Sequence, residues 1–225
     1  MRRVTTLYGT SIGKKFAMAL ASIFLLLFLV LHMWGNLHIF QGPDAFNHYA
    51  EWLREVGAPL FGHKEVLWIM RIVLLLSIGV HIVAFLQLWL QSSAARRSRY
   101  KYYDPQVFSY ASKTMKWGGI AIFLFVIFHL MHLTWGNANP DFIPGDAYHN
   151  VIVGFQSWPV VLIYLVALAA LGLHLYHGVW SWFQTMGLNN QRFNRYRRPI
   201  ALVVTLIITL GFASVPVSVV TGILR

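Results

Sequence analysis

Five stretches of this chain run for more than twenty residues without a single Lys, Arg, Asp or Glu: positions 16–43, 72–95, 117–140, 147–191 and 199–224. A helix crosses the hydrocarbon core of a bilayer with about 20 apolar residues. A soluble domain, with charged residues near ~25%, does not leave such gaps; here they make up 11%, against 57% hydrophobic. The chain therefore reads as an all-α membrane protein, one membrane domain over residues 1–225. The fourth gap has room for two spans. However, Gly154, Gln156 and Pro159 at one end and Gln184, Gly187, Asn189, Asn190 and Gln191 at the other leave one apolar run between them. The five helices are predicted at 14–37, 65–91, 114–137, 157–183 and 199–222, packed as a bundle. Pro159 and Pro199 are expected in first turns, where a helix tolerates proline, and Pro216 is expected to bend the fifth span near its end. Between the first two spans, Phe46, Tyr49, Ala50 and Leu53 form one stripe. They predict a short surface helix over 44–56, capped by Asp44.

Charge distribution gives the orientation. Fourteen of the 18 Lys and Arg lie in the N-terminal segment (Arg2, Arg3, Lys14, Lys15), the second connection (Arg96, Arg97, Arg99, Lys101, Lys113, Lys116) and the fourth (Arg192, Arg195, Arg197, Arg198). In a five-span chain these share one side, and six of the seven acids fall on the other. By the positive-inside bias the N-terminus is cytoplasmic and the C-terminus outside. The net charge of +11 is thus explained by topology and attraction to anionic lipid, with docking of a soluble partner as the sharper reading and no need for nucleic acid. Tryptophans agree: Trp34, Trp52, Trp68, Trp135 and Trp158 sit near the outer ends, Trp89, Trp117, Trp180 and Trp182 near the inner ones, as in an aromatic belt. The first apolar run is of full span length and lacks a cleavage site, so it reads as a span and not a signal peptide.

There is no cysteine, which excludes disulfides, thiolate metal sites and covalently attached haem. Histidine is the remaining strong ligand, and His32, His81, His129, His132, His174 and His177 lie within or at the edges of the first four spans. A lone intramembrane histidine often just bonds a carbonyl, but ionisable groups on four separate spans mark a functional site. His81 and His174 each precede the inner polar boundary (Gln91, Gln184) by ten residues, about 15 Å at 1.5 Å per residue. His32 lies 17 residues past Lys15 and His129 lies 13 past Lys116, so both are about 20 to 25 Å from the inner side. Two levels of facing histidines are what two six-coordinate porphyrin irons require. In the third span two registers compete. Ser22 and Gly119, each ten residues before a histidine, favour His129, whereas Trp34-Gly35-Asn36 and Trp135-Gly136-Asn137 favour His132. In the fourth span, depth favours His174 and leaves His177 nearer the inner rim, suited to a propionate or a quinone. Small residues (Gly79, Gly118, Gly119, Gly172, Gly178) would admit a ring or a helix. A haem-free transporter with a histidine relay is the competing reading; the first four spans lack intramembrane acids to pair with the histidines.

With these features the chain resembles the five-helix, dihaem cytochrome b membrane subunit of succinate dehydrogenases and fumarate reductases, the b558-like type. The resemblance covers nearly the whole chain. It rests on Leu31-His32-Met33-Trp34-Gly35-Asn36, Ala45-Phe46-Asn47, Gly79-Val80-His81, Gly119 followed ten residues later by His129, and His174-Leu175-Tyr176-His177-Gly178-Val179-Trp180-Ser181. It implies two b haems, an inner one held by His81 and His174 and an outer one by His32 and His129. In the family pattern a glycine follows the fourth ligand by four residues, which fits His174 and not His177. It further implies a multi-pass subunit of the bacterial cytoplasmic membrane. That subunit would anchor a flavoprotein and an iron–sulfur subunit and pass electrons to a quinone, menaquinone by the family's habit. Glu51, Glu55 and His38, with His48, are the candidates at a quinone site near the outer haem. Lys15 and Lys116 are candidates for the inner haem's propionates. A dihaem anchor of a hydrogenase or formate dehydrogenase would keep the haems and exchange the soluble partner.

Overall fold

The computed structural model describes residues 7–95 and 110–225. Arg2, Arg3, Arg96, Arg97, Arg99 and Lys101 lie outside the described residues, and Lys113 is described only in its backbone. The elements are α1 (Ser11–Leu37), which runs into a 3-10 turn (His38–Gln41), α2 (Pro43–Glu55), α3 (Glu65–Ala94), α4 (Tyr110–Leu133), α5 (Ala147–Gly154), α6 (Trp158–Thr185) and α7 (Gln191–Val220). Five of them, α1, α3, α4, α6 and α7, are long and apolar enough to cross a membrane. Among the described residues there is no strand.

Several helix ends differ from the sequence expectation for identifiable reasons. α7 begins at Gln191, capped by Asn190 Oδ1 accepting from the Phe193 amide at 2.8 Å. Pro199 is therefore inside the helix and not in its first turn. Hydropathy marks where the apolar part starts, whereas the helix extends through Arg192 to Arg198. α4 ends at Leu133, short of residue 137: the amides of Thr134 and Trp135 both return to the Leu130 carbonyl, at 3.0 and 2.9 Å, and Gly136 takes φ +79°. That left-handed glycine is a helix stop. Gly42, not Asp44, is the N-cap of α2; Pro43 opens the helix and Asp44 lies in its first turn, where a carboxylate favours the helix dipole. α5 falls inside the fourth charge-free gap, where no helix was expected, and is capped by Asp146, whose Oδ1 accepts from the His149 amide at 2.9 Å.

α1 packs on α3, α4 on α6, and α7 against both α6 and α1; the pairs α1/α4 and α3/α6 are not among those closely packed. The bundle thus consists of two helix pairs joined along one side by α7. Its apolar core lies at the end where α2 and α5 sit, and includes Ile39, Phe46, Phe155, Val161, Tyr164, Val215 and Val219. Asn47 ties this end together, donating to Asp146 Oδ1 at 3.0 Å and accepting from the Tyr148 amide at 2.9 Å. Along the spans, by contrast, Leu75, Leu76, Leu124, Leu162, Val166 and Leu210 are all more than half exposed. In water each such side chain forfeits roughly 25 cal/mol per Å² of unburied apolar area; lipid removes that cost. The aromatic belt needs one correction. Trp180 is buried, and Trp182 Nε1 donates to the Ala19 carbonyl of α1 at 3.2 Å, so these two rings join helices instead of facing the membrane surface.

Candidate functional site

The fold brings His32 of α1 to His129 of α4, ring centroids 5.9 Å apart and planes at 83°. It brings His81 of α3 to His174 of α6, centroids 6.0 Å apart and planes at 51°. Each pair bridges two helices that do not pack closely on each other. Aromatic contact alone spans about 4.5 to 7 Å; in the same molecule His38 stacks on Tyr49 at 4.5 Å and 11°, and His129 meets Tyr164 and Phe125 at 5.9 Å. A metal bonded at about 2 Å to one nitrogen of each of two opposed imidazoles sets their centroids about 6 Å apart or slightly more. Both pairs are at that separation.

The surroundings of the pairs differ. His32 stacks on Phe28 at 5.0 Å and meets Phe212 at 5.6 Å. Nδ1 of His129 is 3.2 Å from the Tyr164 hydroxyl, and Nδ1 of His132 is 2.9 Å from the same oxygen. His132 is buried, stacked on Phe128 at 5.6 Å and pressed against Gly154, where an added Cβ would lie 2.9 Å from its Nε2. It therefore packs α5 onto α4 and α6 and takes no part in a histidine pair. At the other level, Nδ1 of His81 and Nδ1 of His174 are buried without a hydrogen-bond partner among the described residues. His177 also has a buried, unpartnered Nδ1 and lies edge-on to Trp180 at 5.3 Å.

The glycines of the spans separate into two kinds. Gly172 meets Thr209 and Thr205 of α7 and serves helix packing. No atom lies within 4 Å of a Cβ built on Gly79, Gly119 or Gly178, and only the Ala170 carbonyl, at 3.9 Å, approaches one on Gly118. Behind His174 an apolar groove of ≈ 330 Å³ runs between α4 and α6, with Trp117, Gly118, Ala121, Ala170 and Leu173 in its walls. Among the described residues no three His, Asp or Glu cluster in a way that holds a metal ion. Two imidazoles brought together from separate helices instead suit a metal that carries its own flat set of equatorial ligands. The donor set thus fits a porphyrin iron at each level, and the open faces of Gly79, Gly118 and Gly178 lie near the His81/His174 level.

The remaining candidates are dispersed. Lys15 is exposed, whereas Lys116 Nζ lies 4.2 Å over the Trp89 ring and 5.2 Å from that of Trp117, bridging α3 and α4. Among the described residues no acid bonds His38; its Nδ1 is 3.1 Å from the Trp34 carbonyl, and its ring stacks on Tyr49. Burial pushes the Tyr49 phenol above its ordinary pKa. That ring fits only because residue 35 is glycine, since a Cβ there would meet the Tyr49 hydroxyl at 2.7 Å. Trp34-Gly35-Asn36 and Trp135-Gly136-Asn137 are thus alike in sequence and different in role, one admitting a ring and the other ending a helix. Glu55 is paired with His63, while Glu51 and His48 are exposed. Two residues were missed by sequence reasoning. Tyr164 sits ten residues before His174 in an apolar span, and a phenol there signals a polar partner. Arg197 has Nε and Nη1 buried without a partner among the described residues, and becomes visible once α7 is extended back to Gln191.

The family described as the succinate dehydrogenase/fumarate reductase transmembrane subunit has a model that matches residues 91–213, just over half of the chain. The matched stretch contains His129, His132, His174 and His177 and stops short of His32 and His81 on the N-terminal side. No curated protein and no solved structure matches the chain.

Proposed function

This chain belongs to the succinate dehydrogenase/fumarate reductase transmembrane-subunit family, and from that premise we propose that it is the membrane anchor and electron conduit of a succinate:quinone oxidoreductase. In this reading it holds two b haems, one between His81 and His174 toward the cytoplasm and one between His32 and His129 toward the outer face. The N-terminus is cytoplasmic, in a bacterial cytoplasmic membrane. An iron–sulfur subunit carrying the flavoprotein docks on the basic inner side, and a quinone, menaquinone by resemblance, is served near the outer end. The observation that carries the proposal is the double pairing, with centroids at 5.9 and 6.0 Å, in a chain of this family.

When bound, haem b supplies reversible one-electron chemistry at each level. The chain's own residues do the rest. Four imidazoles hold the irons and fix the spacing of the two levels along the bundle. Gly79, Gly118, Gly119 and Gly178 leave room beside the helices, and the apolar side chains exclude water. Arg197 is suited to a haem carboxylate at the inner end because Nε and Nη1 of its guanidinium are buried without a partner among the described residues; Lys116 is engaged by two indoles, and Lys15 remains a second cation at that surface. His177, with its unpartnered Nδ1, is placed in a polar contact at the inner rim. At the outer end Glu51 is the candidate for handling the quinone's proton, since Glu55 is held by His63, and His38 borders the same surface through Tyr49.

The test is a dithionite-reduced minus oxidised spectrum of the purified complex with a haem-to-protein ratio. Two b haems per chain, reducible by succinate when the soluble subunits are attached, is the expected result. A colourless preparation from haem-replete cells removes the proposal.

A further inference from the structure

One phenol faces two imidazoles. The Tyr164 hydroxyl is 3.2 Å from Nδ1 of His129 and 2.9 Å from Nδ1 of His132. A phenol has one proton to donate and lone pairs to accept with, so the two histidines cannot both receive from it. At least one must carry its proton on Nδ1 and donate to Oη; the other either donates as well or accepts the phenolic proton. If His129 were the acceptor, its own proton would sit on Nε2, the remaining ring nitrogen, and His129 could not bond a metal opposite His32. With the polarity reversed, His129 Nδ1–H donates to Tyr164, Tyr164 donates to His132 Nδ1, and His129 Nε2 keeps a free lone pair.

Resting on the haem-binding reading above, we infer that Tyr164 is a positioning residue for the His32/His129 haem. With His132 behind it as acceptor, it holds His129 in the Nδ1–H form and makes that ligand more electron-rich. A ligand imidazole that donates its second N–H to an acceptor is oriented and raised in basicity. A more basic ligand favours the ferric iron. The arrangement is rigid: Tyr164 is in the apolar core and meets Phe125 at 4.9 Å and Phe155 at 4.6 Å, both nearly perpendicular, and Gly154 backs the His132 ring. At the His81/His174 level neither Nδ1 atom has a hydrogen-bond partner among the described residues.

The experiment is a redox titration with low-temperature EPR on the assembled complex carrying Tyr164→Phe, which removes one oxygen and keeps the ring. The haem concerned is identified as the one lost in the His32→Ala complex. Both haems should be retained. The reduction equilibrium of the His32/His129 haem should shift toward the ferrous form by several-fold, up to about tenfold, or about 59 mV for one electron. Its low-spin g values should move, and the other haem should not change. A second variant, His132→Phe, leaves the phenol in place without its acceptor and should give a smaller shift of the same sign at the same haem. It also serves if Tyr164→Phe does not assemble. Unchanged potentials and g values at the His32/His129 haem in either dihaem variant overturn the role of Tyr164, as does an equal shift at both haems, which marks a general loosening of the bundle. A wild-type complex without haem overturns the haem-binding reading itself and is thereby distinguished.

Discussion

His32 and His129 meet at the end of the bundle that carries α2, α5 and the apolar core, whereas His81 and His174 meet where the glycine faces are open and a groove runs behind one ring. The ring separations, 5.9 and 6.0 Å, are almost the same. Spacing is set by where each histidine falls along its helix, and it survives a large change in packing. Packing governs something else: how firmly each ring is held before a cofactor arrives. At the core end His129 is tied through Tyr164, and His32 lies on Phe28. At the other end two Nδ1 atoms are buried without partners among the described residues, which costs about 1–3 kcal/mol for each such group and leaves ring orientation to be fixed by what binds there.

The strongest way to break this comparison is to remove one level. Replacing His81 or His174 by Ala should abolish one haem and leave the other, halving the haem-to-protein ratio by pyridine haemochrome assay. Replacing His32 or His129 should do the converse. Loss of both haems from any single replacement would show that the levels are not independent. His177→Ala should keep both, because its ring meets Trp180 and not another imidazole.

Substitutions of equal size at the two ends sharpen the contrast in packing. Gly154→Ala places a methyl 2.8 Å from Cε1 of a buried histidine. Overpacking of this kind costs about 1–3 kcal/mol, and the thermal midpoint followed by haem absorbance should fall by several degrees. Gly79→Ala meets no atom of the chain, and in haem-free protein its midpoint should match wild type. Equal losses for the two variants would mean that the ends are packed alike.

How much of this was readable in the sequence depends on which physical quantity carried it. Charge-free gaps gave five spans because lipid tolerates no frequent ionised side chains. The same criterion hid the first turns of α7, which are helical and basic, and hid α5, which is apolar but too short to cross. Histidine depth follows from a fixed rise per residue, so levels could be counted without coordinates. Which face of a helix a side chain occupies relative to a helix far off in sequence could not. Tyr164 lies 32 residues from His132 and 35 from His129, and only the rotation of α6 against α4 brings the three together. Ala45-Phe46-Asn47 was legible as a motif and not as a structure: Phe46 enters the core and Asn47 clamps α5.

At the core end, function and stability should also separate. Glu51 is exposed on α2, so Glu51→Gln should leave both haems and the thermal midpoint unchanged while slowing quinone turnover by about tenfold or more, as loss of a positioned proton carrier does. Unaltered turnover with a standard quinone would reject its role and leave α2 as a purely structural cover.

The smallest expected effect concerns acid. Every Asp and Glu among the described residues, Asp44, Glu51, Glu55, Glu65, Asp141 and Asp146, lies at the α2/α5 end. Asp146 is the one whose carboxyl is held below its ordinary pKa, first by the His149 amide and then by Asn47. A carboxylate depressed in the folded state contributes stability above its unfolded pKa and loses it as pH falls through the folded value. Asp146→Ala removes the cap of α5, a change of about 1 kcal/mol near neutrality, and less in practice because the group is only partly buried and is screened. The difference between wild type and Asp146→Ala should therefore be greatest at neutral pH and shrink on acidification below the usual carboxylate range. If loosening reported by Trp135 and Trp158 fluorescence at this end follows that difference while the His81/His174 haem spectrum stays constant over the same pH range, acid acts on one end alone. A simultaneous change at both ends would show that the clamp made by Asn47 and Asp146 is transmitted along α4 and α6, and that the two levels share more than the helices joining them.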